Sequence, residues 1–258
     1  MDKLIVFILG SLIGSFLNVC VYRLPKGKSV VSPPSACPKC GKAISWYDNI
    51  PLVSYFVLRG RCRACKAGIS FRYFIIELLT ALVLTALFAV FGLGPKFFAY
   101  SIMVCGLIVA TFVDFEISEI PDEVSVGGAI VGLMLSAAMP SIFAAASRWQ
   151  ALSASFLGAA VGGASIYIIG YAGKLVFKKE AMGGGDVKLM AMIGSFLGWK
   201  LALLVFFVAP LFGSIVGIML KIKTGREIIP YGPYLSLAAL VAVFFGDRII
   251  RSLFWGIY

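Results

Sequence analysis

An all-α protein that crosses a membrane about eight times, with one small polar insert between its first two spans, is predicted by three features of the sequence. Hydrophobic residues make up 60% of the chain and charged residues only 14%, whereas soluble domains carry about a quarter charged residues. Apolar runs of spanning length recur from one end to the other. The lysines and arginines gather between those runs, which is how membrane orientation is written, so the net charge of +11 argues for the lipid bilayer as partner and against nucleic acid.

In order, the runs fall at 3–22, 73–93, 97–113, 124–139, 151–177, 187–199, 201–220 and 233–256. The first has one lysine ahead of its apolar core and no small-x-small cleavage signal before Tyr22, so it reads as a retained helix and not a signal peptide. The sixth is short for a crossing. A re-entrant segment is its alternative, but that would export the loop from Lys221 to Arg226. The charge bias disfavours this, because ten of the 23 basic residues lie between Arg23 and Arg72. With eight crossings, Lys174, Lys178, Lys179, Lys188, Lys221, Lys223 and Arg226 join those ten on one side. That side is expected to be cytoplasmic, with both termini outside.

The expected organisation is a first transmembrane helix (1–22), a cytoplasmic metal-binding insert (23–72) and a seven-helix membrane domain (73–258). The insert contains CPKC and CRAC, which place Cys37, Cys40, Cys62 and Cys65 in two C-x2-C pairs. Each pair can offer two thiolates to one ion, and two pairs complete a tetrahedral four-thiolate site for Zn2+. Two disulfides are the alternative, and a reducing cytoplasm argues against them. With all four positions filled by sulfur the ion is expected to be structural, folding a segment that lacks the apolar residues for its own core. Gly41 and Gly68 are read as permitting the turns, and Cys20 and Cys105 as buried packing residues in apolar spans.

Only 12 residues are acidic, so their positions carry information. Asp114, Glu116, Glu119, Asp122 and Glu123 cluster where the third run ends, and Pro121 halts the helix there. Asp186 follows Gly183, Gly184 and Gly185 at the start of the sixth run. The topology puts both groups at the cytoplasmic membrane edge. A pair of carboxylates sharing one proton is what an aspartic protease needs, with Asp114 and Asp186 as the candidates. Asp186, at a helix N-terminus, is the one expected to carry the charge, although such a pair titrates as a unit.

The three glycines are read as a substrate-binding edge whose backbone an unwound peptide can approach. Gly158, Gly162, Gly163 and Gly170 are read as helix-packing positions. Glu116 and Glu119 are read as an acidic rim that attracts a basic peptide. Glu77 is a separate buried acid whose role the residues leave open.

The chain resembles the type IV prepilin peptidases, bifunctional leader peptidases and N-methyltransferases. The resemblance rests on GSFLNVCVYRLP (14–25), the two cysteine pairs, WYDNIPLVSYFVLRGRCRAC (46–65), the D-x6-P-D arrangement from Asp114 to Asp122, and GGGD (183–186). It departs from that pattern at RYFIIE (72–77), where the family usually has RYP.

The resemblance implies Asp114 and Asp186 as the catalytic pair of an intramembrane G-x-G-D aspartyl protease. It also implies type IV prepilins or pseudopilins as substrates, with a basic leader cut after glycine. S-adenosylmethionine would be the methyl donor for the new N-terminus, and the location a bacterial inner membrane. No residue can be assigned to that cofactor from its chemistry, and Asn18 and Arg23 are candidates only by position. The alternatives are a peptidase without methyl transfer, a cation-coupled transporter using the same acids, and a scaffold docking an assembly partner. The oligomeric state is open.

Overall fold

The computed structural model describes residues 2–178, 182–224 and 230–255. Lys179 and Arg226, counted above for orientation, lie outside them. The chain divides into two compact units, Met1–Leu93 and Gly94–Tyr258. Among the described residues there is no strand, only helices and two isolated β-bridges.

The first unit is a helix pair with the polar insert between its members: α1 (Lys3–Arg23), the short α2 (Val53–Val57) and α3 (Phe71–Phe91). Asp2 caps α1 by accepting the Leu4 N–H at 3.3 Å, and Ser70 caps α3 by accepting that of Arg72 at 3.3 Å. The pair closes along α1 glycines. A Cβ added at Gly10 would stand 2.8 Å from the Cα of Ala81, and one at Gly14 would stand 2.7 Å from the Cα of Glu77. Side-chain-free positions let two backbones meet in an apolar medium, where close contact and not water exclusion drives helix association.

Arg23 ties down the start of the insert. Its guanidinium donates to the carbonyls of Ser29 at 3.0 Å and Pro33 at 2.7 Å, which anchors the loop to the end of α1. The insert is also less bare of apolar packing than expected. Tyr55 packs on Phe71 and Phe74 of α3 and Phe56 edge-on against Phe74, at centroid separations of 5.1–5.8 Å, which seats α2 on the helix.

The second unit comprises α4 (Pro95–Ile117), α5 (Asp122–Ala138), α6 (Arg148–Phe177), α7 (Gly184–Leu197), α8 (Trp199–Thr224) and α9 (Gly232–Trp255). α7 is its centre and touches each of the other five. Its Leu189, Met190, Met192 and Ile193 are all sealed from solvent. A helix apolar on every side belongs in the middle of a bundle. The tightest seam is α6 on α7, where Gly158 lies against the backbone of Gly194 and Gly162 against the carbonyl of Met190, so both are packing positions as expected. Ser155 of α6 adds a hydrogen bond to the carbonyl of Ser195 at 2.6 Å.

Apolar helices stand at all eight expected places, and six are long and apolar enough to cross a membrane. The other two are shorter than the roughly 20 residues a crossing needs: α5 has 17 and α7 has 14. The third expected run ends late. It continues to Ile117 and stops at Ser118, which takes a left-handed conformation with φ of 55°. Asp114 is therefore inside the last turn of α4 and not beyond it. Cys20 is buried as expected, while Cys105 is only half-buried.

Candidate active site and metal centre

The two cysteine pairs form matching knuckles. In the first, the Cys37 N–H donates to the Lys42 carbonyl at 3.0 Å and the Gly41 N–H to the Cys37 carbonyl at 2.8 Å. In the second, the Cys62 N–H donates to Ala67 at 2.8 Å and the Lys66 N–H to Cys62 at 3.0 Å. Gly41 supplies the left-handed residue of its knuckle with φ of 71°, but the equivalent residue in the second is Lys66 with φ of 58°. Gly68, expected to make that turn, does not. It pairs with Arg61 in a β-bridge instead.

The four Sγ atoms lie within 4.8 Å of one another, and none of the six cysteines is in a disulfide. Tetrahedral zinc with bonds of about 2.3 Å demands sulfurs about 3.8 Å apart, and the Cys37 and Cys65 sulfurs are 3.8 Å apart. The N–H groups of Cys40 and then Lys39 point at the Cys37 sulfur and pull its thiol down to about 6, toward the thiolate a metal needs. The tetra-cysteine cluster fits zinc. Arg63 braces it by gripping Asp48 with hydrogen bonds of 2.6 and 2.8 Å, which hold that carboxyl below its usual range.

The second unit brings the two aspartates together. Asp114 leaves the last turn of α4 and is 5% exposed, and Asp186 leaves the first turn of α7 and is 8% exposed. Each has one oxygen fixed by a backbone donor. The Gly232 N–H, at the start of α9, donates to Asp114 Oδ2 at 2.9 Å, and the Gly183 N–H donates to Asp186 Oδ2 at 3.2 Å. The latter is half of a capping box, with the N3 acid reaching back to the N-cap amide. The Gly183 donor is thus committed to Asp186 and not free for a substrate.

The two supports are linked by Ile120. A Cβ added at Gly185 would meet the Ile120 Cβ at 3.2 Å, and one at Gly232 would meet the Ile120 Cδ1 at 3.3 Å and Asp114 Oδ2 at 2.8 Å. The Asp114 charge acts on Asp186, and the Asp186 charge on Tyr231. Tyr231 immediately precedes Gly232, and its hydroxyl is buried without a hydrogen-bond partner among the described residues. An unpaired buried hydroxyl costs about 1–3 kcal/mol, and this one lies within reach of the Asp186 charge. Neither Tyr231 nor Gly232 stood out in the sequence. The Gly-Pro pair opening the last apolar run was the available signal.

Gly183 and Gly184 are exposed and Gly185 half-buried, so the glycine edge is open. Glu116, Glu119, Asp122 and Glu123 are all exposed on the α4–α5 turn. Asp122 is bound by Lys188 of α7 at 2.7 and 2.9 Å.

Two family descriptions match the chain: the Bacterial Peptidase A24 N-terminal domain over residues 8–91, and the Type IV leader peptidase family over residues 101–218. Among curated relatives, the prepilin leader peptidase/N-methyltransferase of Pseudomonas aeruginosa is 36% identical over 95% of this chain and 91% of its own length. That of Neisseria gonorrhoeae is 32% identical over 96% of this chain and 92% of its own length. The Myxococcus xanthus protein of the same name is 39% identical over 85% of this chain, which spans 63% of that longer protein. No solved structure matches the chain. With both halves matched in order, and the relatives aligned across nearly the whole length, the chain belongs to the type IV leader peptidase family.

Proposed function

We propose that the protein is a membrane aspartic endopeptidase that removes the basic leader of type IV prepilins or pseudopilins after glycine and methylates the new N-terminus. The observation that carries the reading is the pair of buried carboxylates, each held on one oxygen by a backbone amide and, among the described residues, without a donor on the other. One carboxylate, ionised, takes a proton from water as it attacks the scissile carbonyl, and the protonated partner later supplies one to the leaving nitrogen. The exposed glycine edge receives the unwound substrate backbone. The curated relatives, all named as peptidases with methyltransferase activity, support this reading over cation transport.

In this reading the four cysteines hold a structural zinc, and S-adenosylmethionine supplies the methyl group. In the same reading the insert and the dyad face the cytoplasm of an inner membrane, an orientation that the basic residues between Arg23 and Arg72 support. The reading is tested by mass spectrometry of a synthetic prepilin incubated with purified protein, with and without S-adenosylmethionine. Scission after glycine in both samples is expected, with methylated product in one. An intact substrate in both would remove the proposal.

Tyr231 is assigned the hydrogen bond to the substrate carbonyl oxygen as negative charge develops there. Tyr231→Phe is expected to lower kcat by about 10²-fold, the usual cost of one such donor, with KM nearly unchanged. A shift in KM alone would make the residue a binding contact.

Glu116 and Glu119 are assigned the leader's basic residues. Reversing Glu119 to lysine is expected to raise KM for basic leaders at low ionic strength and to have little effect at high salt. Salt-independent kinetics would reject the rim.

A further inference from the structure

A second polar site lies inside the first unit, on the shared face of α1 and α3. Asn18 is 4% exposed, and its Nδ2 is committed to the carbonyls of Tyr73 at 3.1 Å and Gly14 at 3.4 Å. Those two acceptors fix which end of the amide is nitrogen, and leave Oδ1 buried with no donor among the described residues. One turn beyond Tyr73, Glu77 uses Oε2 to accept the Leu52 N–H at 2.7 Å, with Ser15 of α1 also against its carboxylate. No cation pairs with Glu77 among the described residues.

Helix direction aims the two side chains at the same stretch of the α1–α3 seam. Helical side chains lean toward their own N-terminus. The helices are antiparallel partners, so Asn18 leans along α1 toward the level of Gly14 and Glu77 leans along α3 toward that of Tyr73. Glu77 in fact starts opposite Gly14, whose missing side chain makes the room. The third wall is strained. Leu52 holds φ of 63° and ψ of −50°, a region costly for a branched residue, and its amide is aimed into the cluster. Strain of this kind collects at binding sites because the surrounding structure must hold it.

The cluster is rich in acceptors: the half-buried Glu77 carboxylate, reached by the Leu52 amide and Ser15, and the Asn18 amide oxygen, buried without a donor among the described residues. Even a half-buried carboxylate is costly without a counter-cation in an apolar medium. The complementary ligand is a compact cation rich in N–H groups.

We propose that Asn18 and Glu77 form the receptor for a primary α-ammonium group, that of the N-terminus released by cleavage. This rests on the methyltransferase half of the function proposed above. Before reaction the ammonium proton passes from nitrogen to the Glu77 carboxylate. The freed nitrogen lone pair then forms the bond to the methyl carbon as the carbon–sulfur bond of the donor breaks, its electron pair staying on sulfur. The proton leaves Glu77 to water, which restores the carboxylate.

S-adenosylmethionine carries an α-ammonium of its own, so the test separates the two sources. Binding to the purified full chain is measured with three probes: an apolar peptide beginning with free phenylalanine, its N-acetylated twin, and S-adenosylhomocysteine. Glu77→Gln keeps an acceptor for the Leu52 amide and removes the charge. It is expected to weaken the free-amine peptide by about tenfold or more, to leave the acetylated twin unchanged and to stop methylation, with the thermal unfolding midpoint preserved. Glu77→Asp, which keeps a charge but draws it back, is expected to fall between. Weakening of S-adenosylhomocysteine alone would assign the same ammonium chemistry to the donor. Unchanged binding of both amines with methylation intact overturns the site. A wild-type protein that cuts prepilin but never methylates would overturn the methyltransferase reading itself.

Discussion

Replacing either Asp114 or Asp186 by asparagine is expected to lower the rate of leader removal by about 10³-fold or more, the scale set by losing a general acid or base. Asparagine is isosteric and can still accept the Gly232 or Gly183 amide, so the supports seen here survive. What is lost is the proton traffic. The two variants should be equally inactive, because a dyad that shares one proton fails as a unit. Methylation of a peptide supplied already cut should persist in both, since Asn18 and Glu77 belong to the other unit. The measurement is cleavage and methyl transfer on separate substrates, with thermal unfolding as the control for fold. Activity retained in either variant would sink the dyad.

The second large effect concerns the metal. Chelation, or Cys37→Ser, is expected to unfold most of the insert while leaving the helices of the second unit intact. Structural zinc in small peptides contributes on the order of 10 kcal/mol or more to folding. Nothing else in the insert compares with that. The Asp48–Arg63 grip is largely exposed on the arginine side, and surface ion pairs contribute little. The aromatic contacts of Tyr55 and Phe56 secure α2 but do not reach either knuckle's sulfurs. Amide hydrogen exchange should rise across both knuckles and at Leu52, and stay low through α7. Protection that persists in the metal-free protein would show that the insert folds on other terms.

How much of this was readable in the sequence depended on how local the physics is. The cysteine array was legible because ligand spacing is a short-range property, and the helices because an apolar run declares itself. Asp114 and Asp186 stood out because a carboxylate in an apolar setting is expensive. The supports of that pair were not legible. The amide that holds Asp114 comes from Gly232, 118 residues away, and nothing in the sequence joins them.

Pairing was hidden for the same reason. Asp122 reads as one more rim charge, and only the fold shows Lys188 on it, just as only the fold shows loop carbonyls on the Arg23 guanidinium. The left-handed turn at Lys66 defeats a rule based on glycine, because the knuckle's own hydrogen bonds hold the backbone there.

α7 sets a depth. Its 14 residues extend roughly 21 Å against a hydrocarbon layer of about 30 Å. Because the other five helices of its unit surround α7, the roughly 9 Å it leaves unspanned is bordered by protein and not by lipid tails. A carboxylate on the first turn of so short a central helix meets water among the helix ends, which spares a peptide the cost of being dragged to mid-membrane before it is cut.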